Sequence, residues 1–170
     1  MNVHFIKSPE KKEIQEELNK VFGIHDIPFM LIATGNEKIR GFSGSLTKDE
    51  LIDLSQDINI ELLGTYMFKK EHDLRLSFDA THIFQPQITK SIFEINDSQF
   101  DQWIRGHDLL GLKDIPRGTL VMKYKDDFLG CAKSNGEKIS NYIPKERRLR
   151  TQLKPIYKSD TYISPSAMFS

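Results

Sequence analysis

The 170 residues include 38% apolar side chains, with 11 Phe, 5 Tyr and one Trp, which suffices for one ordinary domain or two small ones packed together. No run approaches the about 20 apolar residues of a membrane helix, the first residues lack the pattern of a signal peptide, and a lone Cys131 excludes an intrachain disulfide and a thiolate zinc site. The net charge of zero hides a division: residues 1–110 hold 12 Lys and Arg against 18 Asp and Glu, net −6, whereas residues 111–170 hold 12 against 6, net +6.

These features predict a cytoplasmic protein that does not meet a membrane and whose second half faces a polyanion. Charge segregation alone carries that expectation weakly, because a solvated basic face needs no partner.

In chain order, Ser8, Pro9 and Glu10 predict a helix start, with Ser8 as the cap. Ile14, Leu18, Val21 and Phe22 follow at helical spacing, and Gly23 ends the run. Residues 29–33 form an apolar run between Pro28 and Gly35, which predicts a buried strand, with residues 38–42 returning beside it. Thr47 and Glu50 have the spacing of a capping box, and Leu51, Leu54 and Ile58 then share one helical face. Residues 60–68 are rich in β-formers, and Leu74, Leu76 and Phe78 alternate with polar residues as in a half-buried strand.

The character changes near Pro86. Residues 92–95 predict a strand, and Asp97, Ser98 and Gln99 cap a short helix holding Phe100, Trp103 and Ile104, closed by Gly106. Residues 119–124 and 128–133 predict two strands. Asn135-Gly136 predicts a type I′ hairpin, since both positions take positive φ cheaply, with residues 138–143 as the returning strand. Short, regularly spaced strands suggest a compact β-barrel.

The main functional candidate is the basic run Lys145, Arg147, Arg148, Arg150, Lys154 and Lys158, opposed between 145 and 160 only by Glu146 and Asp160. Arg and Lys neutralise phosphates and release counterions, and Arg can fork onto a phosphate or a base edge. Tyr142 and Phe128 are candidates for stacking on a base, although aromatics on barrel strands usually belong to the core. The stretch from Gly41 to Lys48 lacks the Gly-Lys-Ser/Thr ending of a phosphate loop and reads better as a turn into a capped helix. The five histidines are scattered without an i, i+4 pair, and Asp79 with His82 lacks the nucleophile of a triad. No catalytic residue, metal site or cofactor is expected, and Cys131 is expected to be buried and inert.

Trp103-Ile104-Arg105-Gly106-His107, Gly118-Thr119-Leu120-Val121-Met122-Lys123-Tyr124, Phe128-Leu129-Gly130-Cys131-Ala132-Lys133 and above all Asn141-Tyr142-Ile143-Pro144-Lys145-Glu146-Arg147-Arg148 resemble, in that order, the PUA-like C-terminal domain of NOL/NOP/Sun-type RNA 5-methylcytosine methyltransferases. Glu61-Leu62-Leu63-Gly64-Thr65-Tyr66-Met67-Phe68 and the stretch around Leu74 to Thr81 resemble the pre-PUA domain of the Nip ribosome-biogenesis factors. The resemblance implies an α+β fold: an N-terminal α/β pre-PUA domain over residues 1–88, packed on a PUA-type mixed β-barrel over 89–158, with 159–170 as a tail.

It further implies a non-catalytic protein that binds RNA, ribosomal or transfer, in ribosomal RNA maturation or modification, alongside ribosome-assembly or methyltransferase protein partners. A scaffold without RNA contact is the alternative. By the same resemblance, RNA would cross a glycine loop made by Arg105, Gly106, His107 and Gly111, and the late segment with Lys145, Arg147, Arg148 and Arg150. Lys123, Lys125 and Lys133 would extend that surface.

Overall fold

The computed structural model describes residues 4–35, 37–58, 60, 62–70 and 73–150. The first part is a five-stranded antiparallel sheet in the order β1 (His4–Phe5), β2 (Met30–Thr34), β3 (Lys38–Phe42), β4 (Thr65–Lys70) and β5 (Leu74–Leu76). Helix α1 (Ser8–Phe22) covers one face with Ile14, Leu18 and Phe22, which pack with Leu31, Ile39 and Phe68. Helix α2 (Lys48–Asp57) covers the other, where Leu51 meets Phe5 and Ile32. Leu31 and Ile32 thus face opposite layers, as the two-residue period of a strand requires.

The capping box at Thr47 is formed: its hydroxyl accepts from the Glu50 amide and the Glu50 carboxylate accepts from the Thr47 amide. Both amides are therefore occupied, and the stretch from Gly41 to Lys48 is a strand end and a capped helix start. At α1 the expected cap shifts. Lys7 occupies the N-cap position with no side-chain hydrogen bond, because Ser8 already lies within the helix. Leu54 and Ile58 do not reach the core and stay 37% and 53% exposed, since one turn of α2 suffices to cover the sheet's small outer cluster. The expected strand over 60–68 starts only at Thr65, after Gly64 turns the chain at φ +70° against the Gly41 carbonyl.

Phe78 does not continue β5. Ser77 caps helix α3 (Phe78–Ile83) instead, its hydroxyl accepting from the Ala80 amide at 3.0 Å. A polar residue between Leu76 and Phe78 reads as alternation, yet the local hydrogen bond of Ser77 redirects the backbone. His82 is spent locally, with Nδ1 3.0 Å from the Phe78 carbonyl, and Asp79 turns to Arg147, so these two form no dyad.

The second part is a four-stranded sheet in the order β6 (Ile92–Glu94), β7 (Gly118–Tyr124), β8 (Asp127–Ser134) and β9 (Ile139–Asn141), with β6 parallel to β7 and the others antiparallel. Helix α4 (Asp97–Ile104) follows β6. Its cap is Asn96, one residue before the expected start, in a box with Gln99. Among the described residues the ladder does not close into a ring. One antiparallel bridge, Leu109 to Ile139, extends it beyond β9.

This sheet is buried on both faces. Leu120, Met122, Leu129, Ala132 and Ile139 pack around Trp103, which is fully buried and donates its indole N–H to the Leu129 carbonyl at 3.0 Å. Val121, Phe128 and Cys131 face the first part and join its core. Two successive residues, Leu129 and Gly130, oppose Met122 in a bulge, with Gly130 at φ +84° against the Phe78 ring. The bulge lets Phe128 and Cys131, three apart, point the same way. One core thus crosses the boundary expected near residue 88.

The Asn135-Gly136 turn is a four-residue loop closed by Ser134 and Ile139, not a type I′ hairpin. Gly136 has φ +99°, but Asn135 keeps a negative φ, and its side chain accepts from the Glu137 and Lys138 amides. Asparagine acts here through its side-chain oxygen instead of through left-handed backbone. Among the described residues no helix is long and apolar enough to cross a membrane.

Candidate nucleic-acid interface

The candidate surface is built on the end of α4. Arg105 closes the helix, Gly106 takes φ +88°, the Gly106 amide donates to the Trp103 carbonyl at 2.9 Å and the His107 amide to that of Gln102 at 3.0 Å. This pair of bonds is the Schellman arrangement, which needs a left-handed residue just past the helix and so favours glycine. The Arg105 guanidinium turns back onto Asp101 at 2.9 Å, and that ion pair holds the Asp101 carboxyl below its usual range.

The chain beyond β9 returns to this turn. The Leu149 amide donates to the Ile104 carbonyl at 2.9 Å, and Arg148 Nε donates to the Ile143 carbonyl at 2.9 Å. Arg148 crosses directly over Gly106, where a β-carbon would come within 2.4 Å of its Cδ and Nε. Glycine is therefore required twice, for the backbone angle and for the passage of the arginine. A 3₁₀ turn over Lys145–Arg147 lifts Lys145 into solvent.

Asn141 holds the two segments in register. Its Nδ2 donates to the carbonyls of Trp103 and His107 at 2.7 and 3.1 Å, and its Oδ1 accepts from the Ile143 amide at 2.8 Å. Asp108 accepts from the Asn141 amide at 2.8 Å and pairs with Lys138 at 2.6 Å. The Lys138 hydrogen bond, followed by that amide, keeps the Asp108 carboxyl below its usual range.

The two segments singled out from the sequence thus converge: Arg105, Gly106 and His107 lie against Arg148 and its neighbours. His107 is exposed, and among the described residues no carboxylate pairs with Lys145 or Arg150. Gly111 lies in open space at φ +69°.

The other cations are engaged elsewhere. Lys123 pairs with Glu94 at 3.0 Å, Lys133 pairs with Asp73, and Arg147 pairs with Asp79 at 2.8 Å. Lys125 turns the β7–β8 hairpin at φ +54° with its ammonium over the Tyr124 ring. Lys154 and Lys158 lie outside the described residues, as does the expected tail over 159–170. Phe128 is buried and cannot stack on a ligand, whereas Tyr142 is 41% exposed under the guanidinium of Arg75.

Sequence reasoning missed the roles of Asn141, Asp108, Asp73, Arg75 and Asp79, setting Asp79 only beside His82 and Asn141 only within the resembling segment. Each acts on a partner about 30 or more residues away, so no local pattern marks it. Among the described residues no group of three His, Cys, Asp or Glu side chains could hold a metal ion.

Comparison with known proteins bears on this half of the chain. Residues 90–149 match the family model of the methyltransferase RsmF PUA domain. A stretch of 54 residues, 32% of this chain, is 35% identical to ribosomal RNA small subunit methyltransferase F of Erwinia tasmaniensis, and it covers 11% of that protein. The match to the family model spans α4, all of β7 to β9, and the returning segment with Arg148. The chain contains a PUA domain, and that domain resembles the C-terminal domains of Sun/NOL-type RNA methyltransferases.

Proposed function

We propose that this chain is a non-catalytic RNA-binding protein of ribosomal RNA maturation or modification, acting in the cytoplasm on ribosomal or transfer RNA. The first 88 residues form a pre-PUA-like domain in this reading, and 89–158 the PUA unit that meets RNA. The observation that carries it is Arg148 laid across the Gly106 turn, inside the stretch matched by the RsmF PUA model. Arg148 covers that turn, and with the exposed His107 and the exposed Lys145 it offers a phosphate backbone side-chain donors. Arg105, Gly111 and Arg150 border the same surface. Arg105, Lys123, Lys133 and Arg147 contribute less, because each is already neutralised by a carboxylate.

The test is RNA binding by the full chain from about 50 to about 200 mM salt, for wild type, Lys145→Ala/Arg148→Ala and Arg147→Ala. For a duplex, every phosphate that a variant no longer neutralises makes the negative slope of log K against log salt shallower by ~0.9. The double variant is expected to shift the slope by nearly two phosphates and Arg147→Ala by much less than one. No binding at the lowest salt, or an unchanged slope in the double variant, refutes the proposed surface. Protein partners captured equally after nuclease treatment, with no RNA bound, would point to a scaffold instead.

A further inference from the structure

Three polar contacts join the two parts of the chain along one seam. Lys133 of β8 pairs with Asp73, Arg147 pairs with Asp79 at 2.8 Å, and between them in the chain's first part Arg75 of β5 lies over Tyr142, with its guanidinium carbon 4.2 Å from the ring centroid. The first two contacts cancel charge against charge. The third does not. Among the described residues no carboxylate pairs with Arg75, and the Tyr142 hydroxyl makes no hydrogen bond. A full positive charge is thus held over the ring of a tyrosine that remains 41% exposed.

The neighbouring aromatics are unavailable for such a role. Phe128 is buried, and Tyr124 is stacked on Phe100 at 4.1 Å with its hydroxyl donating to Asp97. Tyr142 is also fixed in place. Asn141 before it is anchored to Trp103 and His107, and Ile143 after it is buried and holds Arg148 through its carbonyl. The ring therefore stands next to the proposed phosphate-binding cations, on a backbone pinned from both sides.

We propose that Tyr142 and Arg75 form a stacking site for one unpaired nucleobase, built jointly by the N-terminal part and the PUA domain. Every base presents a π-face, so a ring backed by a planar cation takes any of them without reading an edge. The base must be unstacked to reach the ring, so the ligand is single-stranded RNA, a loop or a bulge. Arg75 orients the ring and adds the positive charge that draws the adjoining phosphate. The inference rests on the RNA-binding reading above and adds to it a ligand class and a residue from the other half of the chain.

The experiment compares a single-stranded RNA of about ten nucleotides carrying 2-aminopurine with the same strand annealed as a duplex. Wild type is expected to bind the single strand more tightly and to change the 2-aminopurine emission. Tyr142→Ala should weaken single-strand binding roughly 5- to 150-fold and abolish the emission change, with the salt slope kept. Tyr142→Phe should behave as wild type, and Arg75→Lys, which keeps charge but not planarity, should lose several-fold.

If wild type binds RNA with the slope set by Lys145 and Arg148, yet Tyr142→Ala binds as well as wild type, the stacking site is wrong and the RNA-binding reading stands. Equal losses on single strand and duplex also overturn it, since that pattern marks a disturbed seam. Absence of any RNA binding by wild type overturns both. Urea unfolding of each variant separates weakened stacking from a damaged fold.

Discussion

Asn141 reaches 38 residues back in the chain to donate 2.7 Å to the carbonyl of Trp103, and the same amide nitrogen serves His107. It thereby ties β9 to the end of α4, sharing the Trp103 carbonyl with the Gly106 amide and taking up the His107 carbonyl just past the helix. Replacing Asn141 by Ala leaves the His107 carbonyl and the Ile143 amide without this partner in a half-buried place, while the Trp103 carbonyl loses one of its donors and keeps the Gly106 amide. The expected loss is about 2 kcal/mol, or about 4 to 8 °C in a chain of this size. Asn141→Asp should be no better, because it restores the acceptor for Ile143 but sets a carboxylate against two carbonyls. Thermal melts check this, and an Asp variant as stable as wild type would contradict the assigned geometry.

Gly106→Ala combines two penalties. The left-handed angle costs an alanine about 1–2 kcal/mol, and the new β-carbon displaces Arg148. In an Arg148→Ala background only the first penalty remains. A double-mutant cycle by urea unfolding should therefore give a coupling of about 1 kcal/mol or more between positions 106 and 148. Strict additivity would mean that the arginine does not pass over the glycine in solution.

Asp108 is held below its usual carboxyl range chiefly by Lys138 and then by the Asn141 amide. Its native state binds protons less readily than its unfolded state, so its contribution is fully present above the unfolded value near 3.8 and is lost as pH falls through the lower folded value. Asp108→Asn keeps the acceptor for Asn141 but cannot titrate. The stability gap between wild type and Asp108→Asn should thus be largest near neutrality and narrow below about pH 4. A gap that stays constant down to acid unfolding would show that the carboxylate charge is not what stabilises this loop.

Cys131 has its thiol pushed up to about 12, mainly by complete burial. The folded protein should resist alkylation at pH 8 and react once unfolded, because the thiolate is the nucleophile. The sign for stability follows from the same shift. The unfolded thiol releases its proton near 9.0 whereas the folded one retains it, so stability falls as pH rises from 9.0 toward 12. Cys131→Ala should lack this alkaline loss. Rapid labelling of the native protein at pH 8 would mean that β8 opens far more easily than its burial implies.

Much of this architecture was legible in the residues themselves. Thr47 with Glu50 announces a capped helix, Gly23 and Gly106 announce helix ends, and Leu120, Met122 and Tyr124 alternate as a strand facing one core. Such signals are local: a cap, a left-handed turn and a two-residue period each involve neighbours in the chain. The same locality explains the misreadings. Ser77 starts a helix where alternation suggests more strand, and Asn135 closes its loop with a side-chain oxygen where the dipeptide suggests positive φ. In both places two local rules compete, and contacts beyond the segment choose between them.

From sequence alone came the division of charge and most of the elements, though not β1 or α3, and the family resemblance pointed to the segments around Gly106 and Lys145 as one surface. Only the tertiary structure decided which cations remain available. Lys133 and Arg147 stand in a basic stretch, yet each is matched by an aspartate some 60 residues earlier in the chain, while Lys145 is left without one among the described residues. An ion pair depends on distance in space, and a linear count of charges holds no distances. The Arg75–Tyr142 stack arises in the same way, from packing one sheet against the other around Val121, Phe128 and Cys131.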